Sequence, residues 1–149
     1  MWDEIERRVL DDGYMEGISR TKERVHFSAE VFTPAALVVD MLRKMPAEAF
    51  APRKSVLDPA CGDGNFLVGA KWFKILMFGM SEQDALADLY GVDIMRDNVD
   101  RALRRLGGGT IVMGDTLNPE LRLPGQSTHE HALMRELFAP TGQGVLFTP

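Results

Sequence analysis

Apolar and polar residues repeat with two different periods along this chain, and the changes of period mark the predicted elements. Short apolar runs predict strands at residues 56–58, 89–94 and 110–113, with a further short strand at 144–147. Helical spacing predicts helices at residues 3–12, 65–78, 97–106 and 130–138, one from Pro34 to about Pro46, and a short one opening at Ser81. Strands alternating with helices predict an α/β protein with a parallel sheet and helices on both faces. We expect the first strand at the centre, the second and third to one side, and the fourth on the other.

Local signals refine the helices. Thr33 is predicted as an N-cap with Pro34 at the first helical position. The apolar residues predicted to face inward from the first two helices are Ile5, Val9, Leu10, Leu37, Val38, Met41 and Leu42. The helix at 65–78 is apolar nearly all round, which predicts burial on more than one side and a core position for Trp72 and Phe73.

Length and composition bound the function. The 149 residues correspond to one domain, which divides into an N-terminal helical or irregular segment (1–30), a core (31–117) and a weakly determined C-terminal segment (118–149). The net charge of −5 argues against a general nucleic-acid binder. Four basic clusters are interpreted as solvated helix faces; they are Arg7-Arg8, Arg20/Lys22/Arg24, Arg43-Lys44 and Arg101/Arg104/Arg105. The apolar run near Lys74 is too short for a membrane span, so a soluble, cytoplasmic protein is expected.

The most informative run is Val56 to Leu67, in which a strand leads into a turn containing Gly62 and Gly64 and then into a helix. Such turns bring backbone amides close to a small ligand. Asp58 and Asp63 lie beside this turn, and two carboxylates disfavour a phosphate and favour a cation. S-adenosylmethionine, which is nucleoside-like and carries a sulfonium, fits this requirement. The only cysteine, Cys61, is interpreted as a small packing residue and excludes an internal disulfide.

Acids follow three of the predicted strands. Asp58, Asp93 and Asp115 end or follow strands one, two and three, so a parallel sheet would place them on one rim. The phosphate-loop pattern is absent, and the dinucleotide fingerprint lacks its third glycine. The pattern therefore favours an adenosyl compound over a nucleotide.

The run Asp58-Pro59-Ala60-Cys61-Gly62-Asp63-Gly64-Asn65-Phe66 resembles the methionine-binding motif of adenine-specific (N6) DNA methyltransferases, including those of restriction–modification systems. Phe32-Thr33-Pro34 is similar to the N-terminal cofactor segment of that family, Tyr90 to Ile94 to its ribose motif, and Gly114 to Leu117 to the next motif. The resemblance implies a Rossmann-like, S-adenosylmethionine-dependent methyltransferase fold with a truncated sheet.

The resemblance also implies a role for each matching position. Thr33 would help to hold the methionine carboxylate, and Asp93 would accept the ribose hydroxyls with Ile94 against the adenine ring. Asp115 would accept from the adenine amino group. The cofactor-binding residues implied are Phe32, Thr33, Pro34, Asp58, Pro59, Ala60, Cys61, Gly62, Asp63, Gly64, Phe66, Asp93, Ile94, Asp115, Thr116 and Leu117.

The acceptor motif of that family, Asn/Asp/Ser-Pro-Pro-aromatic, does not occur in these 149 residues. Asn118-Pro119-Glu120-Leu121 lacks the second proline and the aromatic residue. The catalytic residues stay unknown, and three interpretations stay open: an adenine-N6 DNA methyltransferase, a non-catalytic S-adenosylmethionine-binding module, or a degenerate relative that folds without using the ligand. Charge gives DNA only weak support as a partner, and an exposed strand edge predicts self-association or a protein partner.

His129 and His131 flank Glu130, which leaves a His-x-His metal site as an alternative. A solvated loop or helix start is the favoured interpretation of this segment, and no metal is assigned.

Overall fold

A computed structural model describes residues 1–11 and 33–139 of the chain. Three parallel strands form its sheet, and they are β1 (Val56–Asp58), β2 (Leu89–Asp93) and β3 (Thr110–Met113), in the order β1-β2-β3. The helices are α1 (Trp2–Leu10), α2 (Ala35–Lys44), a 3-10 turn (Ala47–Phe50), α3 (Asn65–Phe78), α4 (Glu82–Ala87), α5 (Arg96–Leu106) and α6 (Thr128–Leu137). The predicted α/β class, with the second and third strands on one side of the first, is confirmed. The predicted strand at 144–147 and the segment at 19–30 lie outside the described residues.

Helices cover both faces of the sheet. α1, α2, α3 and α5 share the larger apolar core on one face, together with Leu89 and Ile111 from the strands. α6 packs on the other face, where Met134 and Leu137 meet Val92 and Val112. This arrangement leaves the carboxyl ends of the strands between the two layers, which is where a parallel sheet binds ligands.

Phe73 is the centre of an aromatic cluster in the larger core. Its ring lies 5.1 Å from the ring of Trp2 and 5.1 Å from that of Phe50. Trp72 packs against the same core and is covered by the guanidinium of Arg8, 4.0 Å from the ring centre. The predicted core position of Phe73 is confirmed, whereas Trp72 is only partly buried at the margin of the core.

Lys74 joins three segments at the amino end of the sheet. Its ammonium is fully buried and donates to the carbonyls of Phe50 (3.2 Å), Ala51 (3.1 Å) and Lys54 (2.9 Å). It also forms an ion pair with the carboxylate of Asp88, at 2.9 Å. Since each acceptor is a carbonyl or a carboxylate, the buried charge is matched, and the chain entering β1 is fixed against α3.

Glu130 and Gln126 hold α6 and its preceding loop to the outer edge of β3. The Glu130 carboxylate accepts from the Met113 amide at 2.9 Å, and the Gln126 side chain donates to the Met113 carbonyl at 2.8 Å. Arg96 donates two hydrogen bonds to Glu130, at 2.7 and 2.8 Å. At Met113 the main-chain groups of this edge strand are therefore already used.

Three details of the predicted helices are wrong. The N-cap of α2 is Pro34 rather than Thr33, and no side chain caps it. Leu37 and Met41 point to solvent, with exposed fractions of 48% and 40%, because Ala35, Val38, Val39 and Leu42 form the inward stripe. Leu10 is also exposed, whereas Ile5 and Val9 are buried as predicted. None of the helices in residues 1–11 and 33–139 combines the length and the hydrophobicity that a membrane span requires.

Gly69 allows α2 to lie directly on α3. A β-carbon at Gly69 would be 2.5 Å from Val38 Cγ1 and 3.1 Å from Leu42 Cδ1. We expect Gly69→Val to lower the free energy of unfolding by about 1–3 kcal/mol, because the two helices must separate. Urea denaturation measures this change. The exposed Ala36→Val is the control and should cost less than about 1 kcal/mol; equal effects at the two positions would contradict the close packing.

Candidate functional site

The glycine turn after β1 lies across the carboxyl end of β2. The Cys61 amide donates to the Val92 carbonyl at 2.8 Å, and the Gly64 amide donates to the Cys61 carbonyl at 2.9 Å. Gly62 and Gly64 have positive φ values of 56° and 93°, which side chains rarely adopt. A β-carbon at Gly64 would also lie 3.2 Å from Ala102 Cβ, so glycine is required there by backbone conformation and by the close approach of α5.

The carboxylate of Asp93 connects this turn to β2. One oxygen accepts from the Gly62 amide at 3.1 Å. The other accepts from the Met95 amide at 2.9 Å and from the Asn98 side chain at 3.0 Å. These contacts fix the orientation of the carboxylate, and each oxygen is able to accept more than one hydrogen bond.

Asp58 lies at the end of β1, on the same edge of the sheet as Asp93. Its carboxylate accepts from the Ala60 amide at 3.1 Å. Burial raises the pKa of Asp58, the Ala60 amide lowers it, and the neighbouring negative charge of Asp93 raises it. The negative charges of the two acids act on each other at this end of the sheet, which favours a positively charged group there.

The third acid belongs to a turn after β3. Asp115 accepts from the Leu117 amide at 3.0 Å, and the Thr116 hydroxyl donates to the Pro59 carbonyl at 2.6 Å. The Gly114 amide donates to the Asp93 carbonyl at 3.0 Å. The turns that follow all three strands are therefore joined at the carboxyl end of the sheet. Leu117, which was predicted to bind the cofactor, is 96% exposed.

A small cavity of about 20 Å³ lies beside the glycine turn. It is lined by Thr33, Asp58, Ala60, Cys61, Gly62, Asp63, Asn65 and Phe66. Seven of these eight residues were predicted from the sequence as cofactor-binding residues, and Asn65 was not. Pro34 is exposed beside this group, Ile94 is partly buried at the end of β2, and Phe32 lies outside the described residues.

Asp63 has a partner that the sequence did not suggest. It is fully buried, and its carboxylate forms an ion pair with Arg105 Nη1 at 3.3 Å. The interpretation of Arg105 as part of a solvated basic face is wrong, since only 7% of this residue is exposed. A signal was present: Asn98, Ala102 and Arg105 are spaced along one face of α5, and all three are buried.

Cys61 is buried beneath the turn. Burial, followed by the negative charges of Asp93 and Asp58, raises the pKa of its thiol well above the ordinary value. A neutral, enclosed thiol is a packing group rather than a nucleophile, as the sequence predicted.

The histidines and a second cavity lie elsewhere. His131 contacts the Glu120 carbonyl at 2.9 Å, and His129 is exposed near the start of α6. Within residues 1–11 and 33–139, no group of three or more potential ligands could hold a metal ion.

A larger cavity of about 470 Å³ lies near Arg53 and Asp88, at the amino end of the sheet. It is remote from the strand ends that bear Asp58 and Asp93, so its size does not make it the better candidate for this chemistry.

A model of the N-6 DNA Methylase family matches residues 8–106, which is more than half of the chain. The chain belongs to this family. The matched region includes the glycine turn, β2 and α5, and it confirms the resemblance drawn from the sequence and a function related to DNA methylation. Comparisons with curated proteins and with solved structures gave no match.

In this N-6 DNA methylase family member, the Asp58 carboxylate is expected to lower the stability of the fold and to favour the binding of a cationic ligand. A carboxyl whose pKa is raised by folding binds its proton more tightly in the folded state, so stability falls as pH rises through that pKa. Asp58→Asn should therefore raise the free energy of unfolding near neutral pH by roughly 0.5–2 kcal/mol. It should also weaken the binding of a cationic ligand.

Thermal unfolding and calorimetry measure these two effects. The exposed Asp40→Asn removes the same charge from α2 and should change neither quantity beyond about 0.5 kcal/mol. A loss of stability in Asp58→Asn would show that this carboxylate is stabilised, rather than strained, by its surroundings.

Proposed function

We propose that this protein binds S-adenosylmethionine at the carboxyl ends of its strands and takes part in methyl transfer to the N6 atom of adenine in DNA. The observation that carries the proposal is the hydrogen bond between the Gly62 amide and the Asp93 carboxylate, because it joins the glycine turn to the acid at the end of β2. Membership in the N-6 DNA methylase family supports the reaction class.

The residues at this end of the sheet suit such a ligand in their charge and in the conformation of the glycine turn. Asp58 and Asp93 make this end of the sheet electronegative, which suits the sulfonium and ammonium groups of S-adenosylmethionine. Gly62 and Gly64 keep side chains away from the turn, so that the backbone is able to approach the ligand closely.

The roles follow the family resemblance. Asp93 would accept the ribose hydroxyls, Asp115 the adenine amino group, and Thr33 would help to hold the methionine carboxylate. When bound, S-adenosylmethionine supplies a methyl group activated by the positive sulfur. The chain's own contribution is to bind and align that group, since proximity and orientation account for much of the rate in direct transfers.

A second candidate function is binding without transfer. The sequence contains no Asn/Asp/Ser-Pro-Pro-aromatic tetrapeptide, so no residue here is assigned to hold the target base. In that case the protein would retain the cofactor for another chain, or sequester it.

Two measurements test the proposal. Calorimetry should show one S-adenosylmethionine bound per chain, and a transfer assay with methyl-labelled cofactor should place label in adenine-containing DNA. Binding with no label on DNA selects the non-catalytic function. The absence of binding to the purified, folded protein would refute both functions.

A further inference from the structure

We propose that Arg105 is a positioning residue for the methionine half of the cofactor site. This inference rests on the proposed function and extends it to a residue outside the family motifs. Arg105 lies near the end of α5, and its side chain is almost fully buried against the back of the glycine turn.

The guanidinium contacts three residues in two separate segments of the chain. Nη1 donates to the Asp63 carbonyl at 3.1 Å and to Asn65 Oδ1 at 2.5 Å, next to its ion pair with the Asp63 carboxylate. Nη2 donates to the Val9 carbonyl, in α1, at 2.6 Å. The planar guanidinium donates from two separate nitrogens, Nη1 toward Asp63 and Asn65 and Nη2 toward Val9, whereas a lysine at this position would supply a single nitrogen.

Asn65 extends the same network to the segment before α2. Its side-chain nitrogen donates to the Thr33 carbonyl at 2.8 Å, while its oxygen receives the Arg105 hydrogen bond. Only 2% of Asn65 is exposed, so both contacts are shielded from water. Thr33 is therefore held against the glycine turn through Asn65 and Arg105.

The two halves of the site are held in place by different residues. Thr33, Asp63 and Asn65 line the small cavity beside the turn and depend on Arg105. Asp93 depends instead on Met95, Asn98 and Gly62. Loss of the guanidinium should loosen the first half and leave the second largely in place.

Two probes separate these halves. S-adenosylhomocysteine contains both the adenosyl and the amino-acid parts, and 5′-methylthioadenosine contains only the adenosyl part. We expect Arg105→Lys to weaken S-adenosylhomocysteine by about tenfold or more while changing the affinity for 5′-methylthioadenosine by less than about twofold. The matched control is Arg104→Lys at the adjacent exposed position of α5, which should change neither affinity.

Asn65→Ala provides an independent test, since it removes the link to Thr33 but retains the ion pair between Asp63 and Arg105. It should show the same selective loss, and the double variant should lose less than the sum of the two single losses. Should Arg105→Lys not fold, as judged by circular dichroism, the Asn65→Ala result decides.

Equal weakening of both probes, or no weakening of either, in folded variants would overturn the positioning role. That outcome differs from failure of the proposed function, in which the wild-type protein itself would bind neither probe.

Discussion

Asp93→Ala is expected to lower the affinity for S-adenosylmethionine by about 2–4 kcal/mol. Two effects contribute. The charged acceptor proposed for the ribose hydroxyls is lost, and so is the carboxylate that orients the Gly62 and Met95 amides and the Asn98 side chain. Calorimetry on the wild-type protein and the variant measures the difference directly.

Asp93→Asn helps to separate these effects, because the amide keeps the size of the side chain and one acceptor oxygen but removes the charge. The control is Asp84→Ala, which removes an exposed carboxylate near the amino end of the sheet. An affinity unchanged by Asp93→Ala, in a variant with a wild-type circular dichroism spectrum, would mean that the ligand binds elsewhere.

Glu130→Gln is expected to lower the free energy of unfolding by about 2–4 kcal/mol. Glu130 is 8% exposed, and its carboxylate accepts from Arg96, Met113 and Ser127, so the variant weakens the attachment of α6 to β3. The lower end of the range reflects Arg96, whose side chain is 39% exposed and regains water when its partner changes.

The same residue predicts a pH dependence. Burial alone would raise the pKa of Glu130, but the hydrogen bonds from Arg96, Ser127 and Met113 lower it to about 2, from 4.5. Because the folded-state pKa is depressed, its contribution to stability is complete above about pH 5 and is lost as the pH falls toward about 2.

Urea denaturation at a series of pH values should therefore show the wild-type protein losing its advantage over Glu130→Gln between those limits. The exposed Glu136→Gln, in the same helix, should follow the wild-type protein. An advantage that does not change with pH would show that the carboxylate charge does not stabilise the β3 edge.

The sequence predicted the elements that depend on local signals. Residues 65–78 form α3 with the predicted bounds, since a glycine turn precedes the helix and Gly79, with φ of 65°, follows it. Ser81 caps α4 by accepting from the Asp84 amide, in agreement with the helix predicted to open at Ser81. Period and turn chemistry are properties of short segments, so they can be read without the fold.

The predictions made from the sequence failed mainly at buried charged residues. Hydrophobic patterning treats lysine and arginine as solvated, yet Lys74 and Arg105 are enclosed because distant carbonyls and carboxylates converge on them. Those acceptors are up to 96 residues away along the chain, so no local pattern contains them. A cofactor role for each predicted site residue, and a partner at a strand edge, stay predictions.

Lys74 offers an internal reporter of unfolding. An amine-reactive reagent reaches a fully enclosed ammonium only when the surrounding structure opens, whereas Lys44, at the exposed end of α2, reacts at any time. The ratio of the two labelling rates gives the free energy of opening at the amino end of the sheet. Ligand added at the carboxyl end would slow labelling of Lys74 only to the extent that the two ends open together.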